Sequence, residues 1–256
     1  MIFDSHAHYD DEAFCEDREA LLGAMKTNGI GYIVNVGASL KTTKSSLELA
    51  KQYDFIYAAV GVHPSETGEL REENVEELVQ FSRQEKAVAI GEIGLDYYYP
   101  EPEKELQKYW FKKQLDIAVQ EKLPVIIHSR EAAKDTFEIL KQYDGKLKGG
   151  IIHCYSYSPE MALEYVKLGY YIGIGGVVTF KNAKKLKEAA EQIPLDNIVI
   201  ETDCPYLAPE PKRGTRNTSL NLPYIIAELA KIKGVSDNEV IEITCRNAMQ
   251  VYGMNL

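Results

Sequence analysis

Short β-branched and apolar runs alternate along the chain with longer stretches whose apolar residues recur at helical spacing. The runs Ile2–Ser5, Tyr32–Val36, Ile56–Val60, Val88–Ile93, Val125–Ile127, Gly150–Ile152, Tyr171–Ile174 and Ile198–Glu201 predict strands. The stretches Arg18–Asn28, Thr42–Gln52, Glu72–Gln84, Glu103–Glu121, Ala132–Lys141, Pro159–Lys167, Ala183–Gln192 and Leu220–Lys233 predict helices. In the first of these, Leu21, Leu22 and Met25 fall on one face. Gly29, Gly145, Gly169 and Gly234 stand where helix C-terminal stops are expected.

Strand followed by helix, repeated through the chain, implies a parallel sheet. In a chain of 256 residues the expected architecture is a single (β/α)8 TIM-type barrel. An extra C-terminal helix over Asp237–Tyr252 completes it, and a doubly wound open sheet is the alternative. No linker or low-complexity tract interrupts residues 1–256, so one domain is expected. Pro205–Pro223, containing Lys212-Arg213-Gly214-Thr215-Arg216, reads as a loop after the eighth strand.

The five histidines, His6, His8, His63, His128 and His153, all lie at or just past a predicted strand's C-terminal end. So do Glu92 and Asp203. In a barrel these ends converge on one mouth, where barrel active sites are built. His6 and His8, two residues apart on a strand, face the same side. A single histidine closing an apolar strand can equally be a hydrogen-bonded core residue. Four histidines and two carboxylates in one relative position instead make a ligand set for a divalent metal. Six ligands exceed what one ion with an open position needs, and they suit two ions with a carboxylate between them. Two such ions activate water at neutral pH and polarise a phosphoryl or carbonyl oxygen. The expected chemistry is hydrolysis.

Asp-Ser-His-Ala-His at 4–8, Gly-Val-His-Pro at 61–64 and Gly-Glu-Ile-Gly-Leu-Asp at 91–96 appear in that order. They are followed by His-Ser-Arg at 128–130, His-Cys-Tyr-Ser at 153–156 and Glu-Thr-Asp-Cys-Pro-Tyr-Leu at 201–207. With these motifs the chain resembles the TatD-type metal-dependent hydrolases, a branch of the amidohydrolase-like barrels, over essentially its whole length. The resemblance implies that His6 and His8, helped by Asp203, hold one metal, that His128 and His153 hold the other, and that Glu92 bridges them. Other amidohydrolases usually place a carboxylated lysine at the fourth strand, and Glu92 in that place favours the TatD branch. Members of the family are described as nucleases, often 3′-to-5′ exonucleases on single-stranded DNA or RNA. Mg²⁺ or Mn²⁺ is the expected metal pair, and the ligand set also accepts Zn²⁺.

Asp203 is expected to serve both as ligand and as general base. His63, outside the metal set, is expected to touch the substrate phosphate or leaving group. Arg130 can present a two-pronged guanidinium to a phosphate, or form a surface ion pair with Glu131 or Asp135. Tyr97, Tyr98 and Tyr99 could stack on bases or cap the barrel. The expected function is a two-metal phosphodiesterase acting on single-stranded DNA or RNA ends. A metal-dependent esterase, such as an aminoacyl-tRNA deacylase, is the alternative, followed by a non-catalytic metal-binding barrel.

A formal net charge of −10 argues against tracking many phosphates of a duplex, but not against a pocket that takes one phosphodiester. Lys212, Arg213 and Arg216, with Lys181, Lys184, Lys185 and Lys187, are expected to form a basic rim on this acidic body. Four scattered cysteines without a C-x-x-C pair, no visible secretory signal and no apolar run of about 20 residues point to a cytoplasmic monomer away from membranes.

Overall fold

The computed structural model describes residues 1–254. Its strands are β1 (Ile2–Ala7), β2 (Ile30–Val36), β3 (Ile56–Val60), β4 (Ala87–Asp96), β5 (Val125–Arg130), β6 (Gly150–Ile152), β7 (Tyr170–Ile174) and β8 (Ile198–Ile200). They form one parallel eight-stranded sheet in sequential order. A doubly wound sheet would reverse its strand order partway; this one does not. The helices are α1 (Arg18–Gly23), α2 (Leu40–Gln52), α3 (Asn74–Ser82), α4 (Lys104–Glu121), α5 (Ala133–Gln142), α6 (Pro159–Lys167), α7 (Lys184–Gln192), α8 (Leu222–Lys233) and α9 (Asp237–Val251).

The sheet closes between β1 and the segment that follows β8. Asp203 N–H donates to His6 O at 2.9 Å and His8 N–H donates to Cys204 O at 2.8 Å. Ala7 and Cys204 form the parallel bridge of this seam. The Asp4 carboxylate ties the same edges together. It accepts from Thr202 N–H at 3.0 Å, Thr202 Oγ1 at 2.6 Å and Ser219 Oγ at 2.6 Å.

Alternation along the strands divides the core into two layers. Phe3, Val34, Val36, Ala59, Ala89, Ile126, Ile151 and Val199 pack inside the barrel, with Met249, Val251 and Tyr252 from the C-terminal end of the chain. Their neighbours Ile33, Ala58, Ile90, Val125, Ile127, Ile152, Ile198 and Ile200 pack outward, in a cluster with helix residues such as Leu22, Leu47, Phe111 and Leu229. Helix α9 contacts β1, β8 and the turn before β8, and Tyr252 Oη donates to Ser5 O at 2.7 Å. It therefore closes the floor of the barrel, opposite the mouth. Two residues beyond the interior Ile126, Ile151 and Val199 come His128, His153 and Glu201. The strand period that builds the interior thus also aims these side chains into the mouth.

Candidate metal centre

Glu92, 4% exposed, stands in the middle of the mouth. Its Oε1 lies 2.7 Å from His128 Nδ1 and 3.0 Å from His153 Nε2. Its Oε2 lies 3.4 Å from His6 Nε2 and 3.9 Å from His8 Nε2. Each carboxylate oxygen therefore addresses one pair of histidines. Asp203 Oδ1 joins the first pair, 3.4 Å from His8 Nε2 and 3.7 Å from His6 Nε2. Burial raises the Glu92 carboxyl, but the facing His153, His63 and His128 outweigh it and hold the group well below the usual carboxylate range.

Backbone approach makes this convergence possible. Gly94 lies in β4 at φ +146°, and a Cβ there would stand 2.0 Å from His128 O. Only glycine lets β4 and β5 pair tightly along their upper ends, where Asp96 lies opposite Arg130. Gly173 plays the same part for Glu201, whose Oε2 would meet its Cβ at 2.5 Å.

The histidines are oriented from behind. His8 Nδ1–H donates to Val36 O at 2.9 Å, which leaves the Nε2 lone pair facing His6 Nε2 at 3.0 Å. Two imidazole nitrogens each about 2.1 Å from one ion stand about this close to each other. His128 Nε2 faces Asp96 Oδ2 at 3.2 Å, and His153 Nδ1 faces Glu201 Oε1 at 3.2 Å. Carboxylates behind imidazoles in this way fix ring orientation and raise ligand basicity. Asp96 and Glu201 are the site residues that the sequence reading did not single out. Glu201 could have been found from its spacing, two positions before Asp203 and two beyond a buried strand residue. Its Oε1 also accepts from Cys154 N–H at 2.6 Å.

The donor set therefore fits divalent metal. His6, His8 and Asp203 offer ligand atoms within 4.8 Å of one another, and so do His63, Glu92 and His128. His63 thus stands beside the ligand set and not apart from it. Its Nδ1 accepts from Ser65 N–H at 3.2 Å, so the neutral ring carries its proton on Nε2, 3.7 Å from Glu92 Oε1. Burial, reinforced by His128, lowers its pKa to about 3 and keeps it neutral. His63 presents an N–H to the site, whereas a metal ligand presents a lone pair.

Arg130 lines the same cavity of about 570 Å³, together with His8, His63, Glu92, His128, His153 and Asp203. The ion pair considered for it does not form, because Asp135 is held by Lys108 at 2.8 Å and by Tyr97 Oη at 2.7 Å. The basic rim also differs from expectation. Arg216 grips Asp17 through two bonds of 2.7 and 2.5 Å, and Lys187 pairs with Glu228 at 2.5 Å. These two cations brace loops and helices instead of facing the mouth.

The chain matches the family model described as TatD related DNase over residues 3–253. It is 41% identical to an uncharacterized metal-dependent hydrolase of Bacillus subtilis, YabD, across the full length of both. A second such hydrolase, YcfH of Escherichia coli K12, is 34% identical over 98% of this chain and 96% of its own. The crystal structure of the TatD homolog YjjV from Escherichia coli K12 superposes with a TM-score of 0.94 at 31% identity, covering 99% of this chain and 98% of that one. With the closed barrel and its histidine–carboxylate mouth, these likenesses establish that the chain belongs to the TatD family of metal-dependent hydrolases.

Proposed function

We propose that the protein is a two-metal phosphodiesterase that removes nucleotides from single-stranded DNA or RNA ends, in the manner of a 3′-to-5′ exonuclease. The observation that carries this reading is Glu92, with one oxygen toward His6 and His8 and the other toward His128 and His153. In it, His6, His8 and Asp203 hold one ion, His128 and His153 the other, and Glu92 both. Mg²⁺ or Mn²⁺ is the proposed pair, with Zn²⁺ compatible. When bound, two close divalent ions polarise a phosphoryl oxygen and activate water for in-line attack.

The chain's own residues supply the rest. Burial raises the Asp203 carboxyl, but His8, His153 and His6 outweigh it, so Asp203 is ionised and can accept the proton of the attacking water. His63 directs its Nε2–H to a phosphate oxygen or the leaving group. Arg130, which has no carboxylate partner among the described residues, places a bidentate fork on a phosphate. The match to the family described as TatD related DNase supports nucleic acid as substrate. Among the described residues no helix is long and apolar enough to cross a membrane, and the four free cysteines accord with a cytoplasmic monomer.

The test is release of mononucleotides from 3′-labelled single-stranded DNA and RNA by protein of measured metal content, before and after chelation. Two metal equivalents with hydrolysis lost on chelation and restored by Mg²⁺ or Mn²⁺ is the expected result. Hydrolysis of a charged tRNA with neither polymer cut would replace this reading with that of an esterase.

A further inference from the structure

Strands β4 and β5 stay paired past the metal ligands, ending at Asp96 and Arg130. Three tyrosines follow Asp96 at once, and the structure gives them different tasks. Tyr97 is committed to the scaffold through its bond to Asp135 and the Lys104 ammonium over its ring, 4.4 Å from the centroid. Tyr98 carries the Arg130 guanidinium 3.8 Å from its ring centroid. Tyr99 stands edge-on to Tyr98, with centroids 4.8 Å apart and planes at 90°. Tyr99 is 54% exposed and lines the metal-centre cavity with Arg130.

Asp10, Asp11 and Glu12 line the cavity from the β1 side and Glu66 from the turn after β3, whereas Arg130 and Lys41 are its lysine and arginine side chains. A phosphate chain leaving the metal centre is repelled from the β1 wall and drawn toward Arg130. Of the two exposed tyrosines that line the cavity, Tyr206 is tied to the acidic wall by its 2.9 Å bond to Asp11, which leaves Tyr99 as the aromatic surface on the Arg130 side. An aromatic face next to a cation that has no carboxylate partner among the described residues suits one ligand class above others, a nucleotide whose base stacks while its phosphate is held.

Resting on the phosphodiesterase reading above, we infer that Tyr99 is the base-stacking residue of the enzyme. The nucleobase beside the scissile phosphate lies on its ring, and Arg130, held flat by Tyr98, takes the adjoining phosphate. Every base has a π-face, so this subsite tolerates any sequence. It does require a base free of its duplex partner, since the cavity of about 570 Å³ is the size of a site for one small organic group. The arrangement selects unpaired ends.

The experiment uses the metal-loaded full chain, wild type and with Tyr99→Ala or Tyr99→Phe. Each is assayed on a short single-stranded oligonucleotide and on the same oligonucleotide with an abasic residue at the 3′ end. Wild type should cut the intact substrate about tenfold or more efficiently than the abasic one, chiefly through KM. Tyr99→Ala should lose that preference by slowing only on the intact substrate, and Tyr99→Phe should keep it. Equal slowing of Tyr99→Ala on both substrates, or a wild type indifferent to the missing base, overturns the stacking assignment while leaving the nuclease reading intact. A metal-loaded wild type that cuts neither oligonucleotide overturns the nuclease reading, and the assignment falls with it.

Discussion

A carboxylate with each oxygen facing a different pair of imidazoles cannot be replaced by a group that binds on one side only. Glu92→Gln keeps the volume but exchanges one acceptor oxygen for an amide NH₂, which donates where a ligand is required. At least one metal equivalent should be lost and hydrolysis should fall below a tenth of wild type, with the circular dichroism spectrum unchanged. Metal analysis and rate measurement on one preparation check this; two bound ions with near-normal turnover would remove Glu92 from the bridge. His63→Ala should separate the two functions differently. Because its Nδ1 is engaged by Ser65 N–H, the ring reaches the site with a proton and not a lone pair, so both ions should remain bound while kcat falls. Loss of an ion in that variant would make His63 a ligand. The sequence made the six proposed ligands legible because each lies near the C-terminal end of a strand; strand period alone places His128 and His153, whereas His6 and Glu92 reach the mouth past register shifts in β1 and β4. It did not make Asp96 legible as the partner of His128, or Ser65 as the group that sets the His63 tautomer. The first depends on the register between β4 and β5 and the second on the turn after β3, and the period of a single strand carries no information about either.

The strand pairs do more than present candidate ligands; the seam that closes the barrel is itself part of the proposed metal site. His6, His8 and Asp203 lie on its two edges, and the backbone bonds Asp203 N–H to His6 O and His8 N–H to Cys204 O set their spacing. Asp4, fully buried, holds the seam through Thr202 and Ser219. Asp4→Ala removes the acceptor of Thr202 N–H, Thr202 Oγ1 and Ser219 Oγ; Ser219 Oγ keeps Tyr9 Oη at 2.8 Å, whereas Thr202 N–H is left without its partner in the interior, which costs about 1–3 kcal/mol for a buried unsatisfied group. Its stability should fall by that order in urea, and its affinity for the ion on the seam should fall with it. Unchanged metal affinity would show that the seam closes without Asp4. The same coupling works in reverse, since ions bound only by the folded barrel stabilise it. At a free metal concentration of about one hundred times Kd, each site adds about 2.7 kcal/mol, or roughly 5–10 °C in Tm for a chain of this size. Calorimetry of chelated and Mn²⁺-reloaded protein reads this directly. Among the described residues, the eight strands and nine helices were legible as alternating periods, with ends displaced by a few residues. The larger differences have local causes. Strand β4 runs to Asp96 rather than Ile93 because Gly94, a break in most strands, here permits the close approach to His128 O. The first helical stretch divides into α1 and a 3-10 turn over Lys26–Asn28, which apolar spacing alone does not reveal.

For the molecule as a whole, a net charge of −10 has to coexist with a polyanionic substrate. Of the seven surface lysines and arginines expected to form a rim, three are taken up elsewhere: Arg216 and Lys187 are bound to Asp17 and Glu228 and Arg213 lies 3.9 Å from Glu210. What faces the cavity is Arg130 and Lys41, enough for one or two phosphates beside the scissile one. Each phosphate contact on a single strand contributes about −0.7 to the slope of log K against log salt. The slope for a short single-stranded oligonucleotide should therefore lie near −1, far shallower than that of a duplex binder with roughly 6–10 contacts. Arg130→Lys should reduce kcat/KM by about one to two orders of magnitude, because lysine cannot reproduce the planar fork and a charge-assisted hydrogen bond is worth about 1.5–3 kcal/mol. It should leave the salt slope nearly unchanged, since the charge itself is retained; Arg130→Ala should flatten the slope by about 0.7. KM across a salt series for wild type and both variants measures all three. A steep wild-type slope would mean that a long basic track guides the strand, and kinetics in Arg130→Lys equal to wild type would mean that Arg130 holds Tyr98 and nothing else.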